Sequence, residues 1–219
     1  FLVAFLFAGI GIGSWYGLLF IYADVYLGVG AELPMVFGLS MMLGILTLVA
    51  WPKVAARWGK NASWILGMLL VAAGTIGTGL LDPEETSWLI LLACVTIVYC
   101  GFMAINILAP SLLGDIIDYG TWKFGMDRGA TYFALYMLVQ KGSMALGGAL
   151  GLAIAGWSGF DPSEKNHSEM AGMGLTFAIA WLPVVFVFLS IILIKFSPIN
   201  SRRHAAIRKS LDRRVACIF

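Results

Sequence analysis

Lys141 is the residue with the most chemistry to explain, because it stands near the midpoint of the apolar stretch Ala130 to Ala155. An ammonium at that depth of a bilayer costs about 2.5–3.5 kcal/mol. Each interface is about 15 Å away, beyond the reach of a four-carbon stem. The lysine is therefore expected to face a polar cavity or a carboxylate, with purely structural pairing as the alternative. No Asp or Glu lies deep inside any apolar stretch of the chain. A second copy would only bring another lysine, and like charges repel strongly at low dielectric. The counter-charge is expected from a different, acidic set of helices.

A second pattern is a stripe of polar and aromatic residues. Thr96, Tyr99, Met103, Asn106 and Pro110 recur at steps of three and four and share one helical face. Tyr132, Tyr136, Gln140 and Ser143 do the same around Lys141, and Ser14 and Tyr16 lie in the first apolar stretch. In lipid such groups either line a cavity or bond across to neighbouring helices, and both readings stand. Tyr16, Tyr99, Asn106, Tyr136 and Gln140 are the candidates for contact with a ligand.

Downstream, Asp115, Asp118 and Trp122 share a face and are followed by Lys123 and Arg128. Carboxylates near a helix C-terminus oppose the macrodipole. They are expected to pair with Lys123, Arg128 or the bases between the second and third apolar stretches, the alternative being a solvated loop. Other chemistries lack their residues. The run Gly9 to Ser14 has neither the full GxGxxG spacing nor a preceding strand. There is no HExxH or GxSxG, so an enzyme is not expected. His167 and His204 fall on opposite sides of the membrane, so no metal site is expected. Cys94, Cys100 and Cys217 form no disulfide pattern and read as packing residues.

The elements that must position these groups are transmembrane helices. Of 219 residues, 60% are hydrophobic and 12% charged, and the mean hydropathy is +0.91. A soluble domain carries about 25% charged residues, so a cytosolic enzyme or a nucleic-acid binder is excluded. Six stretches approach the length of about 20 residues that a bilayer requires: Phe1 to Ala23, Pro34 to Ala50, Ser63 to Leu81, Trp88 to Ala109, Ala130 to Ala155 and Gly172 to Ile194. The expected fold is an all-α, six-helix membrane bundle over residues 1–194. The remaining residues, 195–219, form a basic tail expected to lie as an interfacial helix on lipid. Glycines at Gly9, Gly13 and Gly17, at Gly67, Gly74 and Gly77, and at Gly147, Gly148 and Gly151 mark faces for close helix contact. All 14 Lys and Arg residues except Lys141 and Lys165 fall on one side, which predicts cytoplasmic termini. A start at Phe1, already inside a span, predicts a chain truncated at its beginning.

The run Gly114-Asp115-Ile116-Ile117-Asp118-Tyr119-Gly120, then Arg128-Gly129 and Lys141-Gly142, resembles the pattern of the glycoside-pentoside-hexuronide:cation symporters. The likeness extends to Gly156–Phe160 and to Ser201–Arg208, while WPKVAARWGK (51–60) is a weak form of the wider superfamily's loop motif. The resemblance implies the carboxyl-terminal half of a major facilitator fold, built from two inverted three-helix repeats with substrate at the midplane. It implies symport of a sugar or related glycoside by alternating access, with sodium or a proton as coupling cation and no other cofactor. It also implies lipid and an amino-terminal six-helix half as partners, and residence in a bacterial inner membrane. By resemblance Lys141 sits beside the cation site, and Asp115, Asp118 and Arg128, with Tyr119 and Lys123, belong to the inner gate. Asn106 stands where a member of the family has a tryptophan near its sugar, so galactoside specificity is not implied. A non-transporting scaffold or degenerate half-carrier is the rival reading.

Overall fold

The structure, a computed structural model, describes residues 1–83, 87–126, 128–162 and 168–196. The expected tail helix beyond Phe196, with Arg202, Arg203 and His204, and the outer-loop residues Glu84, Glu85, Glu164, Lys165 and His167 lie outside the described residues. Six helices are long and apolar enough to cross a membrane: α1 (Leu2–Tyr26), α2 (Gly30–Trp58), α3 (Lys60–Gly79), α4 (Trp88–Phe124), α5 (Gly129–Trp157) and α6 (Glu169–Lys195).

Two helices are longer than the apolar runs predict. The second span, short on the Pro34 to Ala50 reading, runs for 29 residues, tightening through a 3₁₀ turn at Thr47–Val49 before Ala50–Trp58. Its continuation is fastened by Trp51, whose Nε1 donates to the Cys100 carbonyl of α4 at 3.1 Å. The fourth does not stop at Ala109; it continues through Pro110 for 37 residues. Its end is set by Gly125, whose φ of +71° suits glycine and whose N–H caps the Thr121 carbonyl. Segment 111–124 is thus helix, not loop, because its first carboxylate is neutralised within the bundle. Ser87 and Ser168 supply hydroxyl caps at the starts of α4 and α6, accepting from Leu89 N–H and Ala171 N–H.

The main contacts run α5–α1–α6–α3–α4–α2. Exchanging the triplets α1–α3 and α4–α6 maps this chain of contacts onto itself, as two equivalent three-helix units require. In α1, 61% of the span's apolar window is buried, against 22% in α2 and 17% in α5. One broad side, formed by α2, α4, α1 and α5, is therefore left open.

The glycine faces fall on the two matching seams. A Cβ at Gly13 of α1 would overlap the Met144 backbone of α5, and one at Gly147 would overlap the Ile10 carbonyl of α1. On the other seam, added Cβ atoms at Gly74 and Gly101 would meet α4 and α3 respectively. Close backbone approach replaces the hydrophobic drive that lipid does not supply.

Of the two readings open for it, Ser14 takes the bond across to a neighbouring helix. It is fully buried, and its Oγ donates to the Ala178 carbonyl of α6 at 2.8 Å. The reason lies in α6, where Phe177–Trp181 widens into a π turn in which Leu182 N–H bonds the Phe177 carbonyl five residues back. The next donor in that pattern would be residue 183, which is proline and has no N–H. Ser14 thus replaces a hydrogen bond that Pro183 cannot make. Nearby, Trp15 Nε1 donates to Thr78 Oγ1 at 3.5 Å and the Tyr22 hydroxyl to the Thr78 carbonyl at 2.9 Å, joining α1 to α3.

Ser14→Ala is expected to lower unfolding stability by about 1–2 kcal/mol, the cost of an orphaned buried carbonyl. Pro183→Ala in the same chain should recover most of it by restoring the N–H. Denaturation of the purified protein in detergent checks both, and a double variant no more stable than Ser14→Ala would refute the account.

Candidate functional site

The open side carries a shallow cleft where α1, α4 and α5 meet, lined by Phe5, Phe102, Asn106, Tyr136, Gln140 and Ser143 among others. Asn106 is exposed, and its Nδ2 donates to the Phe102 carbonyl one turn back at 3.0 Å. That bond fixes the amide and leaves Oδ1 as a free acceptor. Tyr136 stacks on Phe5, with ring centroids 4.8 Å apart and planes 17° from parallel. It is only 3% exposed, yet its hydroxyl has no hydrogen-bond partner among the described residues. The Gln140 amide has none either, while the Gln140 carbonyl accepts from Ser143 Oγ at 3.1 Å.

A second small cleft adjoins the first, and Phe102 borders both. Tyr16 and Tyr99 line it. Tyr99 and Asn106 are seven residues apart on α4, so the two polar levels are separated by about 10 Å along the helix. All five candidate ligand contacts thus meet on one side of the bundle. The other half of the stripe is structural: Thr96 Oγ1 bonds Ser40 Oγ at 3.1 Å, tying α4 to α2.

Lys141 is exposed on α5 and makes no ion pair or hydrogen bond among the described residues. It follows Gln140 directly, about 100° further round the helix, and lies about 160° from Ser143. No described residue compensates its charge.

At the basic end, Asp115 has found its base. Lys60 Nζ lies 2.7 Å from both carboxylate oxygens and donates to the Ser111 carbonyl at 3.1 Å. Asp115 is 6% exposed. Lys60 reaches it because a single residue, Gly59 at φ +88°, links α2 to α3 and sets Lys60 at the first position of α3. Among the three kinds of partner expected, the bases between the second and third spans supply it. Lys123 instead lies over the rings of Tyr119 and Phe124, at 5.9 and 5.4 Å from their centroids. Tyr119 and Trp122 pack with centroids 6.1 Å apart, and Arg128 is exposed. Lys60 and Phe102 are the residues that the sequence did not single out. A one-residue glycine link before a lysine was the available signal for the first, and its i+3 and i−4 spacing from Tyr99 and Asn106 for the second.

The family model described as MFS/sugar transport protein matches residues 1–201. The chain belongs to the MFS/sugar transport family. It is similar to a glucuronide carrier protein homolog of Escherichia coli (strain K12), 27% identical over 165 residues that make up 74% of this chain and 35% of the relative. It is likewise similar to an isoprimeverose transporter of Lactiplantibacillus pentosus, 27% identical over 172 residues, 75% of this chain and 34% of the relative. An uncharacterized symporter of Bacillus subtilis (strain 168), YjmB, is 27% identical over 176 residues, 80% of this chain and 37% of the relative. The chain thus spans about a third of the length of these relatives. The family is one of transport proteins rather than of enzymes.

In this family member, the Lys60–Asp115 pair ties the start of α3 to α4 in a partly solvated setting. Lys60→Met should cost about 2–3 kcal/mol of stability, below the 3–5 kcal/mol of a fully buried pair because the lysine side chain is 27% exposed. Lys60→Met with Asp115→Leu should regain most of that loss. Denaturant titration of the single and double variants measures it, and equal stability of wild type and Lys60→Met would rule the tether out.

Proposed function

We propose that this chain is the carboxyl-terminal six-helix half of a cation-coupled symporter for a sugar or related glycoside. The observation that carries the reading is the open side of the bundle. Five polar or aromatic candidates converge there on two adjoining clefts, beside a lysine whose charge is uncompensated. An amino-terminal half with carboxylates at the same depth would cover that side, neutralise Lys141 and close the clefts into a midplane site. The relatives' length supports it, since about two-thirds of each relative lies beyond the matched region. The names of the relatives, a glucuronide carrier homolog, an isoprimeverose transporter and a symporter, support the substrate class and the coupling.

In this mechanism substrate binds between the halves, touching Tyr16, Tyr99, Asn106, Tyr136 and Gln140. Sodium or a proton binds at the partner's carboxylates, and Lys141 changes its pairing when the cation arrives. Asp118 and Arg128, carried on the extension of α4 and at the start of α5, make the contacts that close the inner gate with Tyr119 and Lys123. Asp115, held by Lys60, anchors that extension. A ligand drives the cycle only by binding the two states with different affinity. The excess of bases at one end supports cytoplasmic termini in a bacterial inner membrane.

Uptake of labelled glycosides into membrane vesicles carrying the full-length carrier, with imposed sodium or pH gradients, tests the reading. Wild type should accumulate a glycoside only with one of the gradients. Lys141→Ala should lose at least tenfold of the gradient-driven uptake while the protein level in the membrane holds. Unchanged gradient-driven uptake in that variant would reject the coupling role.

Asp118→Asn should shift the balance between inward-open and outward-open states, read as altered cysteine accessibility at the basic end, with substrate affinity changed by less than threefold. Loss of the folded protein would assign Asp118 to structure instead.

A further inference from the structure

We infer that the main-chain carbonyl of Asn106, freed by Pro110, is itself a substrate-binding acceptor, and that with Asn106 Oδ1 it reads a hydroxyl-bearing, uncharged edge of the substrate. The inference rests on the transport reading and names what that site recognises.

Pro110 lies inside α4, fourteen residues before Phe124 by number. Proline has no N–H, so the carbonyl four residues earlier, that of Asn106, loses its α-helical donor. In α6 the corresponding defect at Pro183 is repaired from a neighbouring helix by Ser14. At Asn106 no described side chain donates to the carbonyl. A helical carbonyl points along the axis toward the next turn, on the side shared by residues 106 and 110. That side is open: Asn106 is exposed and Pro110 half-buried, and Asn106 lines the cleft.

A second, independent feature points to a ligand at this place. Tyr136, across the cleft on α5, is 3% exposed and its hydroxyl is unpartnered. A buried polar group without a partner destabilises the protein, and a bound group that completes its hydrogen bond removes that cost. The Gln140 amide lies beside it, also unpartnered. The cleft therefore offers two acceptors from Asn106, a hydroxyl that donates or accepts, and an amide that does both. No charged side chain lines it. Hydroxyl groups on a sugar ring match this set, whereas a carboxylate or sulfonate would meet the Asn106 oxygens as like partial charges. Any acid group of the substrate is directed elsewhere.

The test uses the full-length carrier and a panel of methyl glucopyranoside, galactopyranoside and xylopyranoside with their monodeoxy analogues. Pro110→Ala and Pro110→Gly each restore an N–H to the Asn106 carbonyl, the first straightening the helix and the second keeping it pliable. Both should weaken binding of the transported glycoside about three- to tenfold, the range of one hydrogen bond. Both should leave one monodeoxy analogue unaffected, the one lacking the hydroxyl that the carbonyl accepts. Equal loss for every analogue, unchanged affinity, or loss in Pro110→Ala alone overturns the inference, the last by assigning the effect to the kink. Each of these outcomes, with gradient-driven uptake by wild type intact, spares the transport reading. No glycoside uptake at all overturns both.

Discussion

Hydrocarbon supplies no hydrogen bonds, so every main-chain polar group in this bundle must be satisfied by the protein or opened to a wet cavity. That constraint sorts the interruptions of its helices. Pro183 and the π turn before it would strand the Ala178 carbonyl against α1, and a serine at position 14 takes it up. Pro110 interrupts α4 on the side that faces the cleft, where water or a ligand can reach. The same residue type therefore serves packing in one helix and exposes an acceptor in another. What differs is which neighbour lies across from the missing N–H.

The same logic fixes how the helices assemble. α1 is buried over most of its span because it carries small residues toward α5 and Ser14 toward α6, so two helices approach it closely. α4 repeats this arrangement with α3 and α2. Two central helices, each packed on one side against a glycine seam, leave their remaining sides next to one another. The cleft forms there because both helices have spent their close-packing faces elsewhere.

Much of this was legible in the sequence. The glycine triplets named both seams, and the steps of three and four on α4 and α5 named Asn106, Tyr136 and Gln140 as neighbours. Periodicity reports which residues share a face of one helix, and these faces are decided locally. Helix ends were less legible: reading apolar runs placed the end of the fourth span at Ala109, because charges begin soon after. A charge ends an apolar run without ending a helix if a counter-charge lies across from it, and Lys60, distant in sequence, supplies one for Asp115. Which of its two readings Ser14 takes was not legible, for a related reason. Its role depends on a proline in another helix, and no pattern within α1 records that.

Lys60 and Lys141 show how the surroundings divide one side chain between two kinds of work. Lys60 meets both oxygens of a carboxylate that is 6% exposed, with a main-chain carbonyl as a third partner. All three acceptors sit on α4, which packs firmly against α3. Such a contact is the same in every state that keeps those helices together, so it cannot favour one state over another. Lys141 has no partner among the described residues to give up. Its charge lies exposed on the least buried helix, and no described residue compensates it. A contact that crosses between bodies able to move apart can change with state, and the cost of an uncompensated ammonium in lipid makes that change large. In this bundle the pair already formed is scaffold, and under the proposed function the charge still open is where coupling would act.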